Sequence, residues 1–309
     1  MGVGSWGKLI VAAGALLLPA AAHARPLSAQ CPDPTLLVER TVTLMCTGQD
    51  GFPTRSAASI AGLSRVRPHP AFAARGWPSW ADDGYWAPDV EHVGDRYLLY
   101  YSARRRTDDR HCIGVAVSER PAGGFRDIGR PLVDGEPDGA IDPALLRADG
   151  QLFLLYKRDG NSVGAPSVIV GRPLSADGLH LAGPRVELLR SQSTVEAPSA
   201  IQLGEVTYLI YSEGGFSTPA YAEAEAIREG TALGPFRRLG TTPILRSDAG
   251  WVGTGGGSIV VNGDRLLLAY EAFRPGRPTV RRLLFIRALA LENGILRPVG
   301  PAREIKLRA

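Results

Sequence analysis

Three observations on this sequence predict an all-β fold, a propeller of five blades with about four antiparallel strands each. A hairpin-shaped unit recurs along the chain, its marker positions Asp33, Asp89, Asp142 and Glu196 standing about 53 to 56 residues apart, with Gly255 or Gly256 following at a slightly longer interval. Each unit has room for about four short strands, the content of one blade. Segments with apolar residues at helical spacing are nearly absent, and Gly or Pro interrupts every candidate. A β-sandwich also has many short strands, but it does not explain one period repeated five times.

Taken in order, the chain opens on Lys8, the apolar run Leu9 to Leu18 and the small-residue site Ala22-His23-Ala24. This is the pattern of an export leader spanning residues 1–24, and the run is far shorter than the roughly 20 apolar residues a membrane span needs. Residues 25–309 are then expected to form a single domain, secreted or periplasmic, without membrane attachment after cleavage. Cys31 to Val38 and Thr41 to Thr47 read as the strands of a first hairpin, followed by a Ser-, Pro- and Gly-rich stretch up to Trp86. The unit returns as Trp86-Ala-Pro-Asp-Val, a Gly94-Asp95 turn and Arg96 to Ser102. It returns again as Gly139-Ala-Ile-Asp-Pro, an Asp149-Gly150 turn and the strongly apolar Gln151 to Tyr156. The fourth copy is Val195-Glu-Ala-Pro, Gly204-Glu205 and Val206 to Ser212; the fifth is Gly256-Gly-Ser-Ile-Val-Val, Asn262-Gly-Asp264 and Arg265 to Tyr270. Ile113 to Ser118, Ser167 to Gly171 and Leu283 to Ala288 supply further strands between copies.

The formal net charge of +4 carries little functional information. Lysine occurs only at positions 8, 157 and 306, so the positive charge is arginine spread among acids. The one compact basic run, Arg104-Arg105-Arg106, has no interleaved aromatics, and no nucleic-acid partner is expected. Cys31, Cys46 and Cys112 are too few for a disulfide framework and lack metal-ligand spacing. Cys31 and Cys46 flank one hairpin and could pair in an oxidising compartment; three buried thiols is the other reading.

In a propeller the first strand of each blade lines the central channel, so acids near the start of successive repeats converge on one mouth. A single Asp-Pro is usually turn punctuation, whereas acids recurring with the repeat are not explained that way. Cleaving a glycosidic bond with inversion needs a carboxylic acid and a carboxylate base roughly 6.5 to 9.5 Å apart, with room between them for a water. Acids on different blades across a channel can meet that requirement.

Asp33 in Cys-Pro-Asp-Pro, Trp86-Ala-Pro-Asp-Val before a Tyr-rich strand, Asp142 in Ile-Asp-Pro and Glu196 in Val-Glu-Ala-Pro together resemble the signature of family 43 glycoside hydrolases. The resemblance covers essentially the whole chain after the leader. It implies an inverting enzyme on a five-bladed propeller, acting on arabinofuranosyl or xylosyl linkages of an oligo- or polysaccharide. An arabinofuranosidase or arabinanase is preferred over a β-xylosidase, and a sugar-binding propeller that has lost catalysis is the alternative from another class. By the same resemblance Asp33 is the general base, Glu196 the general acid, and Asp142 orients the acid and raises its pKa. Trp86 is expected to stack on a sugar, with Asp89 supporting its turn close to the pocket; Trp77, Trp80, Tyr85, Phe216 and, more weakly, Trp251 are further candidate sugar platforms.

The fifth unit departs from the family pattern. Gly255-Gly256-Gly257-Ser258 has no histidine after the glycine, and Glu271 stands in Ala269-Tyr-Glu-Ala272, where Tyr-His-Ala is often seen. That puts a calcium ion in the channel in doubt, and no cofactor and no metal ligand are expected. His69, His92, His111 and His180 are expected in exposed or packing roles.

Overall fold

A computed structural model of the chain describes residues 29–48, 51–276 and 281–308; the leader expected over residues 1–24 lies outside them. The first four-stranded sheet comprises β1 (Thr35–Val38), β2 (Val42–Met45), β3 (Pro53–Ala57) and β4 (His69–Pro70). The second comprises β5 (Ala81–Val93), β6 (Arg96–Arg105), β7 (His111–Ser118) and β8 (Arg126–Asp127). The third holds β9 (Ala140–Ala148), β10 (Gln151–Arg158), β11 (Ser167–Pro173) and β12 (Val186–Ser191). The fourth holds β13 (Val195–Leu203), β14 (Val206–Glu213), β15 (Ala222–Glu229) and β16 (Arg237–Arg238). The fifth holds β17 (Val252–Asn262), β18 (Arg265–Phe273), β19 (Leu283–Glu292) and β20 (Ile295–Glu304). The last two units are joined into one eight-stranded sheet by a single parallel pair, Ala222 with Thr254.

The five units close into a ring. Their first strands touch in cyclic order, β1 with β5, β5 with β9, β9 with β13, β13 with β17 and β17 with β1. The apolar core lies between neighbouring blades. Leu98, Tyr100 and Val115 of the second pack on Leu145, Leu154 and Val168 of the third, while Leu36 and Leu44 of the first pack on Val260, Ala269 and Leu284 of the fifth. Each such buried Leu or Val contributes about 1.5 to 3 kcal/mol over leaving it in water. Backbone bonds from Ala29 N to Leu307 O and from Cys31 N to Arg282 O tie the first blade to the last. This is a five-bladed propeller. Among the described residues no helix is long and apolar enough to cross a membrane, and the two helical turns, Ile60–Arg65 and Gly160–Val163, are 3-10 turns.

Two expectations need correction. The Ser-, Pro- and Gly-rich stretch before Trp86 is not one loop: it carries β3, a 3-10 turn, β4 and the first five residues of β5. More consequential is the repeat phase. The equivalent positions are Asp33, Ala87, Asp142, Ala197 and Gly256, each in left-handed backbone, with φ of 47°, 45°, 56°, 48° and 61°. Each directly precedes Pro34, Pro88, Pro143, Pro198 or Gly257, and the ladders of β5, β9, β13 and β17 slip register there. Asp89 therefore stands two residues after the equivalent position and Glu196 one residue before it. An extra residue in a bulge breaks the two-residue alternation of a strand, so acids close in sequence phase leave the strand in different directions.

Candidate active site

The bulges set what faces the channel mouth. Positions one before the bulge residue, among them Trp86, Ile141 and Glu196, line a cavity of about 500 Å³ together with Asp33 and Asp142. Below it the channel narrows to about 50 Å³ between Pro34, Pro88, Pro143, Pro198 and Gly257. Positions two after the bulge residue, such as Thr35, Asp89 and Ser199, face that channel and a separate cavity beyond it. Left-handed backbone at Ala87 and Ala197 costs on the order of 1 to 3 kcal/mol each and persists because the surrounding ring fixes it.

Asp33 is held from several sides. Cys31 and Cys46 are joined in a disulfide, which clamps the start of the segment carrying Asp33 to the end of β2. Thr47 next to Cys46 donates from Oγ1 to Asp33 Oδ2 at 2.6 Å, and its amide donates to Pro32 O at 2.9 Å. The Asp33 amide donates to Glu271 Oε2 at 3.0 Å. Arg282 Nη1 lies 3.0 Å from Glu271 Oε1 and 3.5 Å from Asp33 Oδ1. Burial pushes the Glu271 carboxyl up to about 8, with Arg282 opposing and Asp33 adding to the rise.

Asp142 and Glu196 are coupled across two blades. The Asp142 amide donates to Ser102 Oγ at 3.0 Å, and Asp142 Oδ2 accepts the Ala197 amide at 2.9 Å, which fixes the backbone beside Glu196. Burial, then the charge of Glu196, hold the Asp142 carboxyl well above the usual carboxylate range, while Lys157 pulls it down. Glu196 itself is buried, and its Oε2 accepts from Lys157 Nζ at 2.9 Å; the same ammonium lies 2.9 Å from Asp159 Oδ1. The sequence led us to expect that Asp142 orients the acid and raises its pKa; in the structure Asp142 holds the Ala197 amide beside Glu196 and is itself the carboxyl raised by its neighbours.

The predicted sugar platforms divide. Trp86, 37% exposed, lines the cavity and stacks on the His111 ring at 4.0 Å. Burial and the nearby Arg104 push the His111 imidazole down to about 4, so it is neutral at pH 7. Phe216, 51% exposed, also lines the cavity, with the Arg282 guanidinium 5.0 Å from its centroid. Tyr85 does not reach the cavity: it is 5% exposed inside an aromatic cluster with Phe52, Phe72 and Trp77. Trp80 does not either, since its Nε1 donates to Asp127 Oδ1 at 3.1 Å and its ring stacks on Tyr101. Trp251 packs on Phe285 beneath Arg274. Asp89 faces the channel away from the cavity, accepting the Leu145 amide at 2.7 Å and Thr35 Oγ1 at 3.4 Å, and so links its blade to both neighbours.

Sequence reasoning missed Lys157, Tyr221, Arg282 and Thr47, and noticed Glu271 only as a departure from a pattern. A signal existed for Lys157: it is one of three lysines and ends the apolar run Leu152 to Tyr156. Tyr221 explains Gly255 of the fifth blade, because a Cβ there would stand 2.2 Å from its ring, just as Glu223 explains Gly257, where a Cβ would stand 2.6 Å from Oε1 of that glutamate. The Tyr221 phenol is buried and held well above its ordinary range, by burial and by Glu196, Glu271 and Asp33.

Comparison with known proteins agrees with this geometry. The profile of Glycosyl hydrolases family 43 matches residues 24–296. A probable arabinan endo-1,5-alpha-L-arabinosidase A of Aspergillus niger is 28% identical over 207 residues, 63% of this chain and 60% of the relative. The extracellular endo-alpha-(1->5)-L-arabinanase 2 of Bacillus subtilis is 27% identical over 186 residues, 54% of this chain and 39% of the relative. The chain thus spans well under two thirds of the length of these relatives. A thermostable family-43 glycoside hydrolase of known structure superposes with a TM-score of 0.78 at 27% identity, covering 89% of this chain and 94% of its own. An alpha-L-arabinofuranosidase from Lactobacillus brevis superposes at 0.75 with 17% identity, over 88% of this chain and 94% of its own, a likeness of fold. With a matching profile over most of its length and three carboxylates gathered from three blades of a propeller, the chain belongs to glycoside hydrolase family 43.

Proposed function

We propose that the protein is an exported, inverting glycosidase that hydrolyses arabinofuranosyl linkages, or the closely similar xylosyl ones, in plant-type polysaccharides or their oligosaccharides. One observation carries this reading: Asp33, Asp142 and Glu196 come from three different blades and line one cavity. Residues 25–309 act as one catalytic domain, and the leader is removed after Ala24. The preference for arabinose rests on the similarity to two relatives that are arabinan-cleaving enzymes by name.

In the reaction Glu196 gives its proton to the glycosidic oxygen as the bond from that oxygen to the anomeric carbon breaks, the electron pair leaving with the oxygen. A water attacks the anomeric carbon from the other face and its proton passes to Asp33. Thr47 and Arg282 keep the Asp33 carboxylate aimed at that water. Asp142, through the Ala197 amide, fixes the direction of Glu196. Trp86, braced by His111, and Phe216 supply apolar faces on which a pentose ring can stack.

The test is a screen of chromogenic arabinofuranosides, xylosides and galactosides, together with arabinan, using the wild-type chain and Glu196→Gln. Turnover of an arabinofuranoside or arabinan is expected, falling by about 10²- to 10⁴-fold in the variant. Silence on every substrate with saccharide binding intact replaces the enzyme by a binding module.

A further inference from the structure

We infer that Lys157 is a positioning residue for the proton donor: held between Glu196 and Asp159, its ammonium governs how readily the Glu196 carboxyl gives up its proton. The inference rests on the assignment of Glu196 as the acid, made above.

A lysine only 1% exposed, at the end of an apolar strand, is unusual, because an ammonium removed from water must find compensating charge. Lys157 finds it at 2.9 Å from Glu196 on the next blade and at 2.9 Å from Asp159, two residues along its own chain. All three residues line the cavity. The groups facing Glu196 are Lys157 from β10, Asp142 from β9, Tyr221 just before β15, and Glu223 on β15. Burial holds Tyr221, Glu223 and Asp142 toward their neutral forms, and Arg282 is committed to Asp33 and Glu271. Lys157 is therefore the cation that meets the negative charge appearing on Glu196 when its proton leaves. An opposite charge at this range eases ionisation of a carboxyl, and Asp159 tempers the effect by sharing the ammonium. The proton lost by Glu196 goes to the leaving oxygen; Lys157 keeps all three of its own.

Opposite signs follow for two substitutions. Lys157→Met leaves the new carboxylate without a cation, so the alkaline limb of the kcat/KM profile moves up by about 1 to 3 pH units, while the rate on poor leaving groups falls more than on nitrophenyl glycosides. Asp159→Asn removes one anion and gives the ammonium wholly to Glu196, so the same limb moves down. Lys157→Arg keeps the charge and stays near wild type in its limb. Melting temperatures of all three are recorded alongside. Limbs that stay in place in folded variants overturn the inference, as does a downward move in Lys157→Met. Should Lys157→Met fail to fold, the direction of Asp159→Asn decides alone. If Glu196→Gln is fully active on the same substrates, it is the assignment of the acid that has failed, a result separable from limbs that do not move.

Discussion

Glu223 offers a sharp test of how this site stores charge. It lies on β15 and is fully buried. Its Oε1 accepts the Gly257 amide at 2.6 Å and Ser212 Oγ at 3.0 Å, while Oε2 has no partner. Burial first, with the charge of Glu196 adding to it, moves its carboxyl from 4.5 up to about 8 against those two hydrogen bonds. A carboxyl raised on folding binds its proton more tightly in the native state than in the unfolded chain. Its contribution to stability is fully present below the unfolded pKa and is lost as pH rises through the folded one. The window is thus pH 4.5 to about 8. At 1.36 kcal/mol per unit the wild type loses up to about 4 to 5 kcal/mol across it on this account. Glu223→Gln copies the protonated shape and cannot ionise. Urea unfolding of both proteins at several pH values from 5 to 9 reads the difference directly. The variant should match the wild type within about 1 kcal/mol at pH 5 and exceed it by several kcal/mol above pH 8. Stability curves that run parallel over the whole range refute the reasoning.

Two further outcomes follow from the geometry. Replacing Cys31 and Cys46 together by serine opens a loop with a sequence separation of 15, worth about 3 kcal/mol of unfolded-state entropy; calorimetry should show the lower melting temperature, and activity should fall as well because the clamp holds Asp33 against Thr47. Trp86→Ala should raise KM severalfold with little change in melting temperature, whereas Trp80→Ala should destabilise by about 3 to 5 kcal/mol with KM nearly unchanged, since the first faces the cavity and the second fills the space beside Tyr101.

Much of the fold was legible because four of the five blades begin with an acid or a Trp-Ala-Pro-Asp segment, and the last four turn at Gly94-Asp95, Asp149-Gly150, Gly204-Glu205 and Asn262-Gly263, signals that survive without any structure. The four-strand content followed from the period, whereas the choice of Asp33, Asp142 and Glu196 among the four phased acids came from the family resemblance. What the sequence concealed was direction. Asp89 and Glu196 lie almost one period from Asp142, yet the bulge at Ala87 and Ala197 sends Glu196 into the cavity and Asp89 into the channel. Aromatic residues were ambiguous for the same reason: Trp86 and Tyr85 are neighbours on β5 and point to opposite sides, one to the cavity and one to the core. Lys157, Glu271 and Arg282 were hidden because one partner of each, Glu196 for the lysine and Asp33 for the other two, comes from another blade and meets it only in the closed ring.

The central claim is that Glu196 and Asp33 act on opposite faces of the anomeric carbon, with a water between. Proton NMR of the first sugar released from an aryl arabinofuranoside, recorded before mutarotation, tests it most directly. The geometry proposed here predicts the anomer inverted relative to the substrate; the retained anomer as first product would contradict it.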